Sequence, residues 1–314
     1  MLLSIIIPCL NEEESIEVLL EVLNKNIKEL KPYIENYEII FVDDGSSDST
    51  SNILKKMANK DSHIHFIIFT RNFGKEAAML AGLRYATGDY VTIMDADLQD
   101  PPELLKDMII GLQEGYECVA ARRSNRNGEK FLRSFLTRIF YKILNNFCNV
   151  EILDGVRDYR LMTRKMVDSI LAMKEKCRFS KGLFAWGGYK TKYINFPYTK
   201  RKNGKTKWSL IKLIGYSLDG IICFSIVPLR IVSIIGIISF LGSLIAIVYF
   251  IICKIFVGIE IKGYALLMCS LFLMGGLQLV GVGILGQYIG KLFMECKDRP
   301  DYLILDDNYM NHNG

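Results

Sequence analysis

Asp89-Tyr90-Val91-Thr92-Ile93-Met94-Asp95-Ala96-Asp97-Leu98-Gln99-Asp100-Pro101-Pro102-Glu103 sets a short apolar run against a cluster of acids. Tyr90 to Met94 reads as a buried strand, bounded by Gly88 before it and by carboxylates after it. Two carboxylates one residue apart at a strand end can turn their oxygens toward one hard cation. Mg²⁺ and Mn²⁺ suit such oxygen ligands and complete their shells with water and phosphate oxygens. Asp95 and Asp97, with Gln99 as a further oxygen donor, are therefore the candidate metal ligands of a metal–diphosphate site. An Asp-X-Asp triplet alone is usually solvated loop charge. The preceding strand, Gln99 and the Pro101-Pro102 stop lift this one above that background.

Upstream, the same alternation recurs. Leu3 to Ile7 predicts a strand ended by Pro8, and Glu12 to Leu30 a helix with Ile16, Leu19, Leu20, Leu23, Ile27 and Leu30 on one stripe. Glu38 to Val42 is a second strand, closed by Asp43-Asp44-Gly45-Ser46. Ser49 to Asn59 is a helix, His65 to Phe69 a third strand, and Lys75 to Ala86 a third helix. Short connections between alternating strands and helices predict a Rossmann-like α/β domain with a mostly parallel sheet covered on both faces. Ligands then belong at the carboxyl ends of the strands. Asn11, Asp43-Asp44, Arg71-Asn72 and Asp95-Asp97 all fall there. Asn11 also reads as a helix cap, and Asp44 as a turn residue.

The chain has 314 residues, half of them hydrophobic, and the apolar ones are unevenly placed. No charged residue occurs from Ile231 to Cys253 or from Gly263 to Gly290. Each run exceeds the roughly 20 residues that cross a bilayer core. They predict a two-helix transmembrane hairpin over residues 229–290. Basic residues precede the first run (Lys200, Arg201, Lys202, Lys205, Lys207, Lys212, Arg230) and follow the second (Lys291, Lys297, Arg299). The positive-inside rule then puts the first domain in the cytoplasm. Leu210 to Val227, interrupted by Lys212 and Asp219, predicts a helix along the membrane interface. Phe131 to Phe147 predicts an amphipathic helix, either packed on its own domain or lying at the interface. The last dozen residues read as a loose tail, within a cytoplasmic tail over residues 291–314.

The net charge of +5 is modest and demands no nucleic-acid partner. Eight scattered cysteines, none in a Cys-X-X-Cys pair, argue against zinc and against a disulfide framework, and fit a reducing compartment. Leu2 to Pro8 is too short for a cleavable signal. No Gly-X-Gly-X-X-Gly follows the first strand, which argues against a nicotinamide enzyme.

Ile5-Ile6-Ile7-Pro8-Cys9-Leu10-Asn11-Glu12, Val42-Asp43-Asp44-Gly45-Ser46, Arg71-Asn72-Phe73-Gly74-Lys75 and the Asp95–Glu103 run together resemble family 2 glycosyltransferases. The resemblance is to the polyprenyl-phosphate branch, which includes bactoprenol glucosyltransferases and dolichol-phosphate mannose synthases. Val156-Arg157-Asp158-Tyr159-Arg160-Leu161-Met162 and Arg201-Lys202-Asn203-Gly204-Lys205-Thr206-Lys207-Trp208 add to it, as does the two-span tail. It implies a GT-A fold over residues 1–207 and an integral protein of the bacterial plasma membrane. The activity implied is inverting transfer of a hexose, glucose first, from a UDP-sugar to undecaprenyl phosphate, with Mg²⁺ or Mn²⁺ as cofactor. UDP-N-acetylglucosamine and GDP-mannose remain alternative donors, and a homo-oligomer is the family's expectation.

Residue by residue, the resemblance implies nucleotide-sugar contact at Pro8, Leu10, Asn11, Asp43, Asp44, Arg71, Lys75 and Asp95. It makes Asp97 the direct metal ligand and Asp158 the catalytic aspartate, either as general base or as an orienting group. A phosphate monoester acceptor carries about −1.5 to −2 charge near neutral pH and is already nucleophilic. Asp158 also has the simpler reading of an ion-pair partner for Arg157 or Arg160. Arg123, Arg126, Arg133, Arg201 and Lys207 match basic positions near the lipid phosphate. Two phosphate-bearing substrates repel, and fixed cations offset that. Two spans cannot readily enclose a polymer channel, and the Gln-X-X-Arg-Trp motif of processive synthases is absent. A non-catalytic membrane scaffold would show a broken acidic set, whereas all five acids are present.

Overall fold

The computed structural model describes residues 1–124, 153, 155–176, 178–197, 222–223, 225–256 and 263–309. The chain divides into two units, Met1–Gly215 with Arg299–Gly314, and Tyr216–Asp298.

The first unit is an eight-stranded sheet. Its strands are β1 (Leu2–Cys9), β2 (Asn36–Asp43), β3 (Ile64–Phe69), β4 (Tyr90–Ile93), β5 (Cys118–Arg123), β6 (Val156–Thr163), β7 (Thr191–Phe196) and β8 (Ile304–Asp307). They run in the order β7-β5-β6-β4-β1-β2-β3-β8. β4, β1, β2 and β3 run parallel to one another, as the alternation predicts. β6 enters antiparallel between β4 and β5. It is this strand that carries Asp158 alongside the end of β4.

Helices α1 (Ile16–Leu30), α2 (Thr50–Ala58) and α4 (Leu104–Gln113) share one apolar cluster with β1, β2 and β6. Helices α3 (Lys75–Tyr85), α5 (Arg164–Ala172) and α6 (Ser180–Trp186) cover the opposite face. Ile5, Ile39 and Phe41 point to the first face, and Ile6, Ile40 and Val42 to the second, all fully buried. A strand apolar on both faces is what a two-sided core requires. α3 lies so close to β1 that a Cβ on Gly82 would meet Ile6 Cγ2 at 2.2 Å.

Two expectations are corrected. α1 starts at Ile16 with Ser15 at its N-cap, so Asn11 is not its cap. Glu12 to Ser15 form a turn in which the Glu12 carbonyl accepts from the Ser15 amide at 2.9 Å. The last dozen residues are not all loose tail: β8 pairs antiparallel with the edge of β3. Apolar Ile304 and the rings of Tyr302 and Tyr309 pack on the second cluster, and a sheet edge otherwise left open favours such pairing.

The second unit contains helices α7 (Val227–Phe256) and α8 (Tyr264–Cys296). Both contain spans long and apolar enough to cross a membrane, Val227–Ala246 and Ser270–Cys296. Their side chains are bare: Phe272 is 78% and Leu273 74% exposed. A Cβ on Gly281 of α8 would lie 3.1 Å from Val232 of α7, and Tyr288 Oη donates to the Ser225 carbonyl at 2.6 Å. Cys9, Cys118 and Cys296 are free thiols, and Cys223 is disulfide-bonded. The Phe131 to Phe147 stretch and most of Leu210 to Val227 lie outside the described residues.

Candidate active site

The predicted site residues converge at the carboxyl ends of β1 to β4, joined by β6. Asn11 follows β1 with a left-handed backbone, φ 52°. Its amide donates to Ser46 Oγ at 2.9 Å, and its Oδ1 accepts from the Ser47 amide at 2.8 Å. Asn11 thus stitches the β1 turn to the β2 turn, with Pro8 and Leu10 partly exposed beside it. Leu10 lies one residue before that stitch.

Asp43 is fully buried and builds the β2 turn. Its Oδ1 accepts from the Ser46 amide at 2.9 Å and from Ser46 Oγ at 2.5 Å, and its Oδ2 accepts from Ser51 Oγ. Asp44 is nearly as buried and reaches sideways to the β3 loop. Its Oδ1 accepts from the Phe73 amide at 2.7 Å, and its Oδ2 from the Gly74 amide at 3.0 Å. Burial pushes the Asp44 carboxyl up, while these two amide donors pull it back. Between them Gly45 has φ 70°, and a Cβ there would sit 2.4 Å from the Arg71 carbonyl carbon. Both acids therefore direct their oxygens into the walls of the site. Arg71 crowns the loop, its guanidinium 4.1 Å from the Phe73 ring centroid.

Asp95 and Asp100, after β4, are bound differently, by side-chain cations. Lys75 opens α3 and places Nζ 2.6 Å from Asp95 Oδ1 and 2.7 Å from Asp158 Oδ2. Arg157 lies 3.2 Å from Asp100 Oδ1 through Nε and 3.5 Å from Asp95 Oδ2 through Nη2. Burial works against charge on Asp158, but Lys75 and Lys181 outweigh it and hold the carboxyl well below the usual range. Burial likewise opposes charge on Lys75, and Asp158 and Asp95 overcome it, holding the ammonium above its ordinary value. Asp100 is pushed up to about 6 by burial, against the pull of Arg157. The expected pairing of Asp158 with Arg157 or Arg160 is replaced by Lys75, because Arg157 turns to Asp95 and Asp100.

Asp97 is partly exposed, and its Oδ1 accepts from the Gln99 amide at 3.1 Å in a turn that puts Leu98 at φ 55°. Gln99 Oε1 faces two guanidiniums, Arg123 Nη2 at 3.4 Å and Arg157 Nη2 at 3.5 Å. Among the described residues no three His, Cys, Asp or Glu side chains close into a metal cage. The hard oxygens of Asp95 and Asp97 fit a Mg²⁺ or Mn²⁺ ion that shares its shell with phosphate and water. Arg126, Arg133, Arg201 and Lys207 lie outside the described residues.

Beside Asp158, a cavity of about 290 Å³ is lined by Val156, Arg160, Lys181, Phe184 and Tyr193 among others. Arg160 is buried, with its guanidinium 3.8 Å from the Phe184 ring centroid and Nη2 donating to the Arg157 carbonyl at 3.0 Å. Sequence reasoning passed over Arg157, Asp100 and Lys181 as site residues. Asp100 stood in the quoted run, but only the antiparallel β6 brings Arg157 to it. Nothing in the sequence spacing announces that pairing. Trp186, at the end of α6, is 64% exposed.

Residues 4–171 match the model of "Glycosyl transferase family 2". The chain is 43% identical over 310 residues to the Bacillus subtilis (strain 168) protein CsbB, named as a glycosyltransferase, covering 99% of this chain and 93% of that one. It is 39% identical over 308 residues to the bactoprenol glucosyl transferase of Shigella phage SfX, covering 97% and 99%. A crystal structure of Staphylococcus aureus TarS 1–349 overlaps with a TM-score of 0.44 and 21% identity, over 63% of this chain and 59% of that one.

Proposed function

This chain belongs to glycosyl transferase family 2 and has the α/β fold of a GT-A enzyme, and from that premise we propose that it moves glucose from UDP-glucose to undecaprenyl phosphate. The observation that carries this reading is Lys75, bridging Asp95 and Asp158 beside Asp97 at the strand ends. The reaction is a single displacement with inversion. A phosphate oxygen of the lipid attacks the anomeric carbon, the bond from that carbon to the diphosphate oxygen breaks, and UDP leaves with the electron pair.

In this reading Asp97 and Asp95 would hold a divalent ion, which would supply positive charge for the leaving diphosphate. Lys75 and Arg157 are the chain's own cations at the same place. They pair with Asp95, Asp100 and Asp158 and add positive charge where two anionic substrates meet. Asp158, held below the usual carboxylate range by Lys75 and Lys181, is a weak base. Its role is therefore to orient Lys75 and the sugar. The lipid phosphate needs no strong base, since it arrives ionised. Lys181 and Arg160 bring positive charge to the cavity beside Asp158, and Arg123 does so at Gln99.

The bactoprenol glucosyl transferase name of the relatives supports the acceptor class. The bare apolar faces of α7 and α8 support a membrane-spanning hairpin, and the basic residues flanking the two apolar runs support a cytoplasmic sheet domain. The test is release of UDP by the purified full chain, supplied with UDP-glucose, undecaprenyl phosphate and Mg²⁺, with the lipid product read by mass. A lipid product heavier by one hexose is expected. Absence of nucleotide-sugar turnover with UDP-glucose, UDP-N-acetylglucosamine and GDP-mannose alike would overturn the reading.

A further inference from the structure

After α8 the chain returns to the sheet, and that return touches the nucleotide side of the domain. We propose that the segment Asp301–Asp307, with Tyr302 at its head, is a positioning element for the Arg71–Gly74 loop, setting how tightly the enzyme holds the nucleotide part of its donor. The inference rests on the reading above that this loop faces the nucleotide.

The contacts run in an unbroken line. The Thr70 amide, immediately after β3, donates to the Leu303 carbonyl at 3.0 Å. Phe69, the last residue of β3, is stacked on Tyr302 with centroids 4.9 Å apart and planes 12° apart. The same Phe69 ring meets Phe73 edge-on at 5.8 Å. Phe73 carries the Arg71 guanidinium on its face and gives its amide to Asp44. Tyr302 is thus two rings away from the residue that closes the loop on Asp44. The pairing of β8 with β3 shifts register between Ile68 and Phe69. Irregularities of this kind re-aim the chain at a strand end, and this one lies where the loop leaves the sheet.

Tyr302 is itself held. Arg84 lies 5.5 Å from its ring centroid and 3.0 Å from Asp301, and Lys176 donates to the Arg299 carbonyl at 2.9 Å. The plainer reading is that β8 only covers the open edge of β3. The far end of the segment tests that reading. Asn308 accepts from the Phe66 amide at 2.7 Å and donates to the Ile64 carbonyl at 3.1 Å, at the opposite end of β3 from the loop. A mere edge cover would make both ends equivalent for nucleotide affinity.

The experiment measures UDP binding by calorimetry and steady-state kinetics on the full chain in detergent, for wild type, Tyr302→Ala, Tyr302→Phe and Asn308→Ala. Tyr302→Ala is expected to weaken UDP binding and raise the donor KM roughly 3- to 10-fold, the scale of a lost aromatic pair. Its kcat at saturating donor and its KM for undecaprenyl phosphate stay at wild-type values, and Tyr302→Phe restores affinity. Asn308→Ala lowers the thermal midpoint yet binds UDP as wild type does. Unchanged UDP affinity in Tyr302→Ala, or equal weakening in Asn308→Ala, overturns the inference and leaves the proposed activity standing. A wild-type chain that binds neither UDP nor UDP-glucose overturns the proposed activity and this inference with it.

Discussion

Two acidic turns stand side by side in this molecule and are held by opposite kinds of partner. Asp43 and Asp44, after β2, accept from backbone amides and serine hydroxyls, all neutral and fixed in place. Asp95, after β4, faces the side-chain cations of Lys75 and Arg157. A neutral donor built into a turn cannot leave without unfolding that turn. A lysine side chain can swing away and yield its place to another cation or follow an incoming phosphate. Asp43 and Asp44 on one side and Asp95 on the other thus separate into a scaffold and an exchangeable site, and the division follows from their donors rather than from their charge.

That contrast is open to attack, beginning where the effect is largest. Asp158→Asn keeps the shape of the site and removes the charge that orients Lys75. Turnover is expected to fall about 10²- to 10³-fold, the scale of losing one preorganised electrostatic partner. The thermal midpoint should stay near that of wild type, because Asp95 still pairs with Lys75. A large drop in midpoint, measured by thermal unfolding in detergent, would place Asp158 with the scaffold.

Asp43→Ala probes the other side. It strips an acceptor from the Ser46 amide, Ser46 Oγ and Ser51 Oγ at a buried turn. Buried donors left unpaired cost about 1–3 kcal/mol each, and partial rehydration of the turn leaves a net loss of roughly 2–4 kcal/mol. Denaturant unfolding of the full chain measures it. Wild-type stability with lost activity would make Asp43 a ligand-contacting acid and erase the distinction between the turns.

The alternation that predicts β1 to β4 rests on apolar runs buried on both faces, so the sequence pattern and the packing agree there. That Asp95, Asp97 and Lys75 gather at one end of the sheet was readable because each sits at a strand end or a helix start. Arg157 was not, because its place depends on β6 entering antiparallel, a long-range pairing with no local signature. Asp43 was read as a nucleotide contact from the resemblance, and its burial and three donors show that it also builds the turn. The strand β8 escaped notice because Asp306, Asp307 and Asn308 read as polar tail. Its pairing partner, the edge of β3, lies more than two hundred residues earlier in the chain.

The smallest effect is expected at Trp186, exposed at the end of α6. Trp186→Ala should change stability by no more than about 0.5 kcal/mol. In nucleotide binding it should match wild type, since its side chain is largely exposed. A loss of UDP affinity in this variant would extend the exchangeable site beyond the strand ends.

The most direct measurement is electron paramagnetic resonance of Mn²⁺ titrated into the full chain with and without UDP. The account predicts that UDP makes wild type take up Mn²⁺, seen as loss of the free-ion signal. Asp97→Ala should abolish that uptake, while the thermal midpoint stays at the wild-type value. Undiminished UDP-dependent uptake of Mn²⁺ by Asp97→Ala would contradict it.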